Sequence, residues 1–158
     1  MPSWETRLAN QDDKVSAAKA YAETARAGYL PARDLPYQIT TSALPYCHTV
    51  LYDGEPVGFV NVSSSAIPPL ISLLLVRRDL LSSADRRMAV RYLFAACGRF
   101  WLMQGWTSLQ CAVHRCNKGM IELMREYGGT VKVVLPEAVT IEFPDIPMSL
   151  AQLVAEGI

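Results

Sequence analysis

Apolar and polar side chains alternate from Trp4 to Ala9, with Trp4, Thr6 and Leu8 set against Glu5, Arg7 and Ala9, which predicts a short half-buried strand. Asn10 to Asp13 supplies capping oxygens for an alanine-rich helix from Lys14 to Ala27, with Val15, Ala18, Ala22 and Ala25 on its inner face and Gly28 as its stop. Tyr29 to Ala43 holds Pro31 and Pro36, too irregular for one long element but with room for a short helical turn, and such loops are expected to border any site. Cys47 to Tyr52 and Pro56 to Val62 flank Asp53-Gly54, a pair that tolerates the positive φ angles of a tight hairpin turn, so two antiparallel strands are expected there.

Ser63 to Pro69 breaks the pattern, and Leu70 to Val76 resumes as an unbroken apolar run, the mark of a strand covered on both faces. Such a strand needs helices on either side. One follows at once: Ser82 or Ser83 caps a helix from about Ala84 to Gln104, with Met88, Tyr92, Ala95, Ala96, Phe100 and Met103 at helical spacing and Gly105 ending it. Thr107 to Val113 reads as a fifth strand. Asn117 to Tyr127 reads as a helix with Met120, Ile121, Leu123 and Met124 inward, stopped by Gly128-Gly129. Thr130 to Leu135 and Val139 to Phe143 make a closing hairpin, and Ser149 to Glu156 a short amphipathic helix. The mixture predicts a single α/β domain over residues 1–158, with a core from about residue 4 to 143 and a tail from 144 to 158.

Composition narrows the functional classes. Half of the 158 residues are hydrophobic, and 15 acidic side chains cancel 15 basic ones, so neither disorder nor a chain-wide affinity for nucleic acid is indicated. A mean hydropathy of +0.14 leaves apolar side chains over for a homo-oligomeric or other protein partner surface. Met1 to Glu5 has neither the basic start nor the apolar stretch of an export signal. Ala66 to Val76 is interrupted by prolines and falls far short of the ~20 residues of a spanning helix. A cytoplasmic protein without membrane attachment is expected. Cys47, Cys97, Cys111 and Cys116 are too few and too irregular for a disulfide scaffold, and Cys111-x-x-His114-x-Cys116 lacks the second half of a zinc site, so reduced thiols and no metal are expected.

Two local patterns sharpen the fold class. Leu51-Tyr52-Asp53-Gly54-Glu55-Pro56-Val57-Gly58-Phe59 resembles the second and third strands of the GCN5-related N-acetyltransferases (GNAT), a turn with glycine followed by Val-Gly-Phe. Val113-His114-Arg115-Cys116-Asn117, followed by Met120, Leu123 and Gly128, resembles the segment in which that family's fifth strand opens into an asparagine-headed helix. The resemblance runs from about Trp4 to Phe143. It implies a mixed, mostly antiparallel sheet of about six to seven strands flanked by helices, splayed between strands four and five, with an acyl-coenzyme A in the gap. A narrower resemblance is to the acetyltransferase-like internal virion proteins of short-tailed phages. It rests on the glycine-free loop into a long basic helix and on the asparagine-led helix ending in a glycine pair, and it implies a virion or host-cytoplasm setting with a phage or host protein partner.

Residue by residue, the family resemblance implies that the backbone of Leu75, Val76 and Arg77 and the loop Ser82, Ser83, Ala84, Arg86 and Arg87 hold acetyl-coenzyme A, with Asn117 on its pantetheine arm. The family's loop carries glycines whose amides approach the pyrophosphate. Arg77 to Arg87 has none, so arginine side chains would have to pair with the phosphates, or the stretch is only a capped helix with solvated arginines. Strand four carries no carboxylate to take the amine's proton. His114 is the candidate base, with His48 as the other histidine able to reach the gap, although either can equally be a structural residue. Many members donate a proton to the departing thiolate from a tyrosine seven residues after the asparagine. That position is Met124, and Tyr127 lies on a face expected to pack inward. Cys116 as a nucleophile would need a base and an oxyanion site beside it. Two functions follow from the resemblance: an acyl-coenzyme A-dependent N-acetyltransferase acting on an unidentified small-molecule or protein amine, or a catalytically degenerate copy with a structural, assembly or host-interaction role.

Overall fold

The structure is a computed structural model that describes residues 2–30 and 48–155. Cys47 and the stretch from 31 to 43, with the helical turn expected in it, lie outside the described residues. Among the described residues one seven-stranded sheet forms, in the order β1-β2-β3-β4-β5-β7-β6. Its strands are β1 (Trp4–Leu8), β2 (His48–Tyr52), β3 (Glu55–Ser63), β4 (Leu70–Val76), β5 (Leu109–His114), β6 (Thr130–Val134) and β7 (Ala138–Phe143). Four helices accompany it: α1 (Asp13–Arg26), α2 (Ser83–Met103), α3 (Lys118–Glu126) and α4 (Ile146–Ala155).

The Asp53-Gly54 turn forms as expected. Its two central residues have φ of 50° and 81°, so the strands it joins keep their right-handed twist. The first four strands are a plain antiparallel meander. β4 and β5 are parallel and share only two register pairs, Leu70 with Gln110 and Ile71 with Cys111. Beyond Ile71, β4 runs on to Val76 paired with β3 alone, while β5 runs on to His114 paired with β7 alone. Opposite this parting point β3 carries a bulge between Asn61 and Val62. An extra residue there bends the strand and increases local twist, which turns β4 away from β5.

One core fills the space between the sheet and α2, α3 and α4. Phe94 is its hub, 5.9 Å from the Tyr127 ring, 5.2 Å from Phe143 and 6.2 Å from Trp101. Beyond Phe143, α4 places Ile146 and Leu153 in this same core. Helix α2 differs from expectation in its inward stripe. Val90, Leu93, Phe94, Cys97 and Trp101 are buried, whereas Met103 is exposed and Met88 and Ala96 are only half-buried. Apolar residues surround this helix on nearly every side, so periodicity alone does not select a face.

Helix α1 corrects the sequence more sharply. Val15 is 65% exposed and Ala22 is exposed, while Ala17, Ala20 and Tyr21 are buried together with Asp13, Glu23 and Thr24. The inward face thus carries two carboxylates, and a reading that puts polar groups outside rotates the helix the wrong way. Both are satisfied. Asp13 accepts two hydrogen bonds from the Arg7 guanidinium at 2.7 and 2.8 Å and one from the Thr49 hydroxyl at 2.8 Å. Leu8, expected to face inward on β1, is half exposed, because the edge strand instead fixes itself through Trp4, stacked 5.3 Å from Tyr92 and edge-on to Tyr52.

Candidate functional site

Where β4 and β5 part, their facing edges leave backbone N–H and C=O groups without a neighbouring strand. A cleft of about 240 Å³ opens there, walled by Leu74, Leu75 and Val76 of β4, by Ser83, Arg86, Arg87 and Val90 of α2, and by Asn117, Met120 and Leu123 at the start of α3. Arg78 and Tyr29 close its outer side, the guanidinium lying 4.6 Å over the tyrosine ring. A second chamber of about 90 Å³ shares Leu74, Leu75, Asn117 and Met120 with the first and reaches inward to Ile71, Cys111, Val113, His114 and Met124. The two form one slot, basic at its outer end and apolar at its inner end.

The outer end is a helix N-terminus with added cations. Ser82 caps α2, its hydroxyl accepting from the Asp85 amide at 3.2 Å. That satisfies one first-turn amide, and the dipole of a 21-residue helix still favours an anion at this end. The side chains of Ser82 and Ala84 are exposed and lie outside the cleft wall, whereas Ser83 stands in it. Arg86 holds the Leu81 carbonyl at 3.1 Å and has no carboxylate partner among the described residues. Arg87 spans to Glu126 at 3.1 Å in an exposed pair.

Arg77 does not point into the cleft. Its Nε donates to both oxygens of Glu23, at 3.0 and 3.1 Å, and the same carboxylate accepts from the amides of Arg78 at 2.9 Å and Asp79 at 3.3 Å. Burial disfavours the charge on Glu23, but these donors outweigh it and hold its carboxyl below the usual value. The last turn of α1 therefore clamps the chain as it leaves β4 and sets the start of the loop that leads to α2. Glu23 was missed in the sequence, where it stands as one acid in an alanine-rich helix with nothing to mark it as inward. Arg78, also missed, was signalled only by its neighbour Arg77.

The inner end brings together three expected residues. Asn117 caps α3, its Oδ1 accepting from the Met120 amide at 3.3 Å, and its Nδ2 makes no hydrogen bond to the described residues. His114 lines the inner chamber, with Nδ1 accepting from the Cys116 amide at 3.3 Å, which leaves Nε2 as the nitrogen free to exchange protons with a ligand. Met124 is buried and faces this chamber, so no hydroxyl stands at that position. Tyr127 is fully buried elsewhere, its phenol oxygen accepting from Arg91 Nε at 2.6 Å. His48 is not part of the site: it packs edge-on to Phe100 of α2, 5.2 Å away, on the sheet face opposite α1. Cys116 is exposed, and Cys111 is buried in the chamber wall, where burial pushes its thiol up to about 12. No cluster of three or more histidine, cysteine or acidic side chains that could hold a metal occurs among the described residues. No helix among them is long and apolar enough to cross a membrane.

No protein-family model matches the chain, and no curated protein matches its sequence. Its backbone, however, resembles solved acetyltransferases along most of its length. Ard1 from Thermoplasma volcanium superposes with a TM-score of 0.70 at 20% identity, over 88% of this chain and 95% of that one. The PaiA N-acetyltransferase of Thermoplasma acidophilum, solved in complex with coenzyme A, gives 0.64 at 14% identity over 89% and 98%. YncA, a putative acetyltransferase of Salmonella typhimurium solved with its cofactor acetyl-CoA, gives 0.64 at 12% over 90% and 94%. The fold is that of the GNAT acetyltransferases.

Proposed function

We propose that the chain binds an acyl-coenzyme A, with acetyl-coenzyme A as the simplest case, along the slot between β4 and β5 and transfers the acyl group to an amine. The carrying observation is the slot itself: a gap between parting strands that is apolar within and opens onto a capped helix N-terminus ringed by Arg78, Arg86 and Arg87. These residues suit a thioester with a long amide-bearing arm and a phosphate-rich end. The arginines and the α2 N-terminus take the phosphates without glycines, since guanidinium groups replace close backbone approach. Unpaired edge groups of Leu74 to Val76 and the Asn117 carboxamide take the amides of the arm.

When bound, the cofactor supplies an activated acyl carbon. The chain's own contribution is to position it, exclude water and move one proton. His114 Nε2 is the acceptor for the proton of the attacking amine and, once charged, the donor nearest the departing sulfur, the role that Met124 cannot fill. Calorimetry with coenzyme A and acetyl-coenzyme A tests binding: Arg86→Ala should weaken it about tenfold, as loss of one charge-assisted contact does, and Asn117→Ala less. No heat and no thermal stabilisation at millimolar cofactor would overturn the proposal. With a panel of amines, thiol release should fall about 100-fold in His114→Ala at unchanged cofactor affinity.

A second reading, a copy of the fold that serves a structural, assembly or host-interaction role, is favoured by Met124 and by the phenol of Tyr127 being held by Arg91. Cofactor binding without thiol release across the amine panel would select it. The acceptor amine, as a small molecule or a protein, and any second copy of the chain belong to the same set of experiments.

A further inference from the structure

The inner chamber is larger and more apolar than an acetyl group requires. Its volume of about 90 Å³ lies beyond the cleft that would receive the arm of the cofactor. A space that holds one water measures roughly 10–15 Å³ on this scale, so the chamber offers room for several heavy atoms. Its inner lining is Ile71, Leu74, Leu75, Cys111, Val113 and Met124. Burial keeps Cys111 in its neutral thiol form, so it adds no charge to this wall. At the position where a tyrosine would narrow such a chamber and offer a hydroxyl, Met124 presents an unbranched, adaptable thioether. An acetyl methyl alone would leave most of this wall without contact, and an unfilled apolar void forfeits dispersion and burial that a longer chain recovers.

We infer that the chamber between Ile71, Leu74, Val113 and Met124 is an acyl-chain pocket, and that the preferred donor is a coenzyme A thioester of a short aliphatic acid of about four to six carbons rather than acetyl-coenzyme A. The inference rests on the proposed cofactor site and names the substrate class that site prefers. The reaction is unchanged in kind. The amine nitrogen forms a bond to the thioester carbonyl carbon, the carbon–sulfur bond breaks, the proton leaves the nitrogen through His114, and the thiol departs protonated.

The test is a binding series on the full chain, by calorimetry with free coenzyme A and its acetyl, propionyl, butyryl, hexanoyl and decanoyl thioesters. Each methylene that enters the chamber should tighten binding about threefold to fourfold, so butyryl-coenzyme A should bind about tenfold more tightly than acetyl-coenzyme A. The gain should stop near six carbons and reverse at ten, because the chamber is finite. Leu74→Phe, at a half-buried position that lines the shared wall, should move the optimum to a shorter chain, with the melting temperature as the check on folding. Equal or tighter binding of acetyl-coenzyme A would overturn the inference while leaving the cofactor site standing. A steady rise through decanoyl, the mark of adsorption to an apolar surface, would overturn it as well. Failure of every ligand, free coenzyme A included, would overturn the cofactor site and this inference together.

Discussion

The two faces of the sheet are fastened by opposite means. On one face α1 is held by two buried carboxylates, Asp13 on Arg7 and Thr49, and Glu23 on Arg77 and the amides of Arg78 and Asp79. On the other, α2, α3 and α4 meet through Phe94, Trp101, Tyr127 and Phe143, all buried side chains in aromatic contact. The aromatic face holds the two halves of the sheet together across the parting strands. The ionic face fixes where the chain goes as it leaves β4, and so aims the basic loop. Apolar packing has no direction, whereas a carboxylate shared among a guanidinium and two amides has one.

Removing the largest member of the apolar face should cost most. Trp101→Ala should lose about 4 kcal/mol in urea unfolding, since the side chain is fully buried and the fold collapses only partly around the void. A loss below about 2 kcal/mol would show that the apolar face is not the main support. Glu23→Ala should come next, at about 3 kcal/mol, because Arg77 would be left as a buried charge without its partner. The two variants should differ in what they do to function: coenzyme A affinity should fall in Glu23→Ala at temperatures where the protein remains folded, whereas Trp101→Ala should leave it near that of the parent.

Acid separates the faces without mutation. In Asp13 burial resists ionisation, but Arg7, the Asn10 amide and Thr49 prevail and its carboxyl lies below the usual range, as does that of Glu23. In the unfolded chain these groups titrate at about 3.9 and 4.3. Their stabilisation is therefore fully present above those values and is lost as the pH falls through the lower folded ones. Melting temperature measured from pH 6 to pH 2 should drop below about pH 4, and the drop should shrink in the Asp13→Asn, Glu23→Gln double variant. An unchanged acid profile would remove the ionic face from the comparison.

Smaller effects probe the edges. Gly129→Ala should cost about 2 kcal/mol, because a Cβ there would stand 2.6 Å from Ile141 Cγ2 and 2.8 Å from the Met124 carbonyl oxygen, against a wall that includes backbone. Arg87→Ala should cost under about 0.5 kcal/mol, since its pair with Glu126 is exposed on both sides. The same variant should still weaken phosphate-bearing ligands, which tells a rim cation from a structural one.

Most elements were legible in the sequence because they depend on neighbours in the chain. The Asp53-Gly54 turn, the unbroken apolar run of β4, the Ser82 cap and the Asn117 cap each follow from a local backbone requirement, and each forms where the residues call for it. Asn117, His114 and Met124 reach the slot for the same reason: they sit at fixed offsets from the end of β5. What the sequence could not decide was orientation about a helix axis. In α1 and α2 alanine and apolar residues occur on several faces, and the choice is made by partners far away: Arg7, Thr49 and Arg77 draw Asp13 and Glu23 inward and so turn Val15 out. The parting of β4 from β5, and with it the volume and apolar character of the chamber, was likewise settled only in three dimensions. It is set by the two register pairs and the β3 bulge beside them, which arise from strands brought together by the fold rather than from any run of residues along the chain.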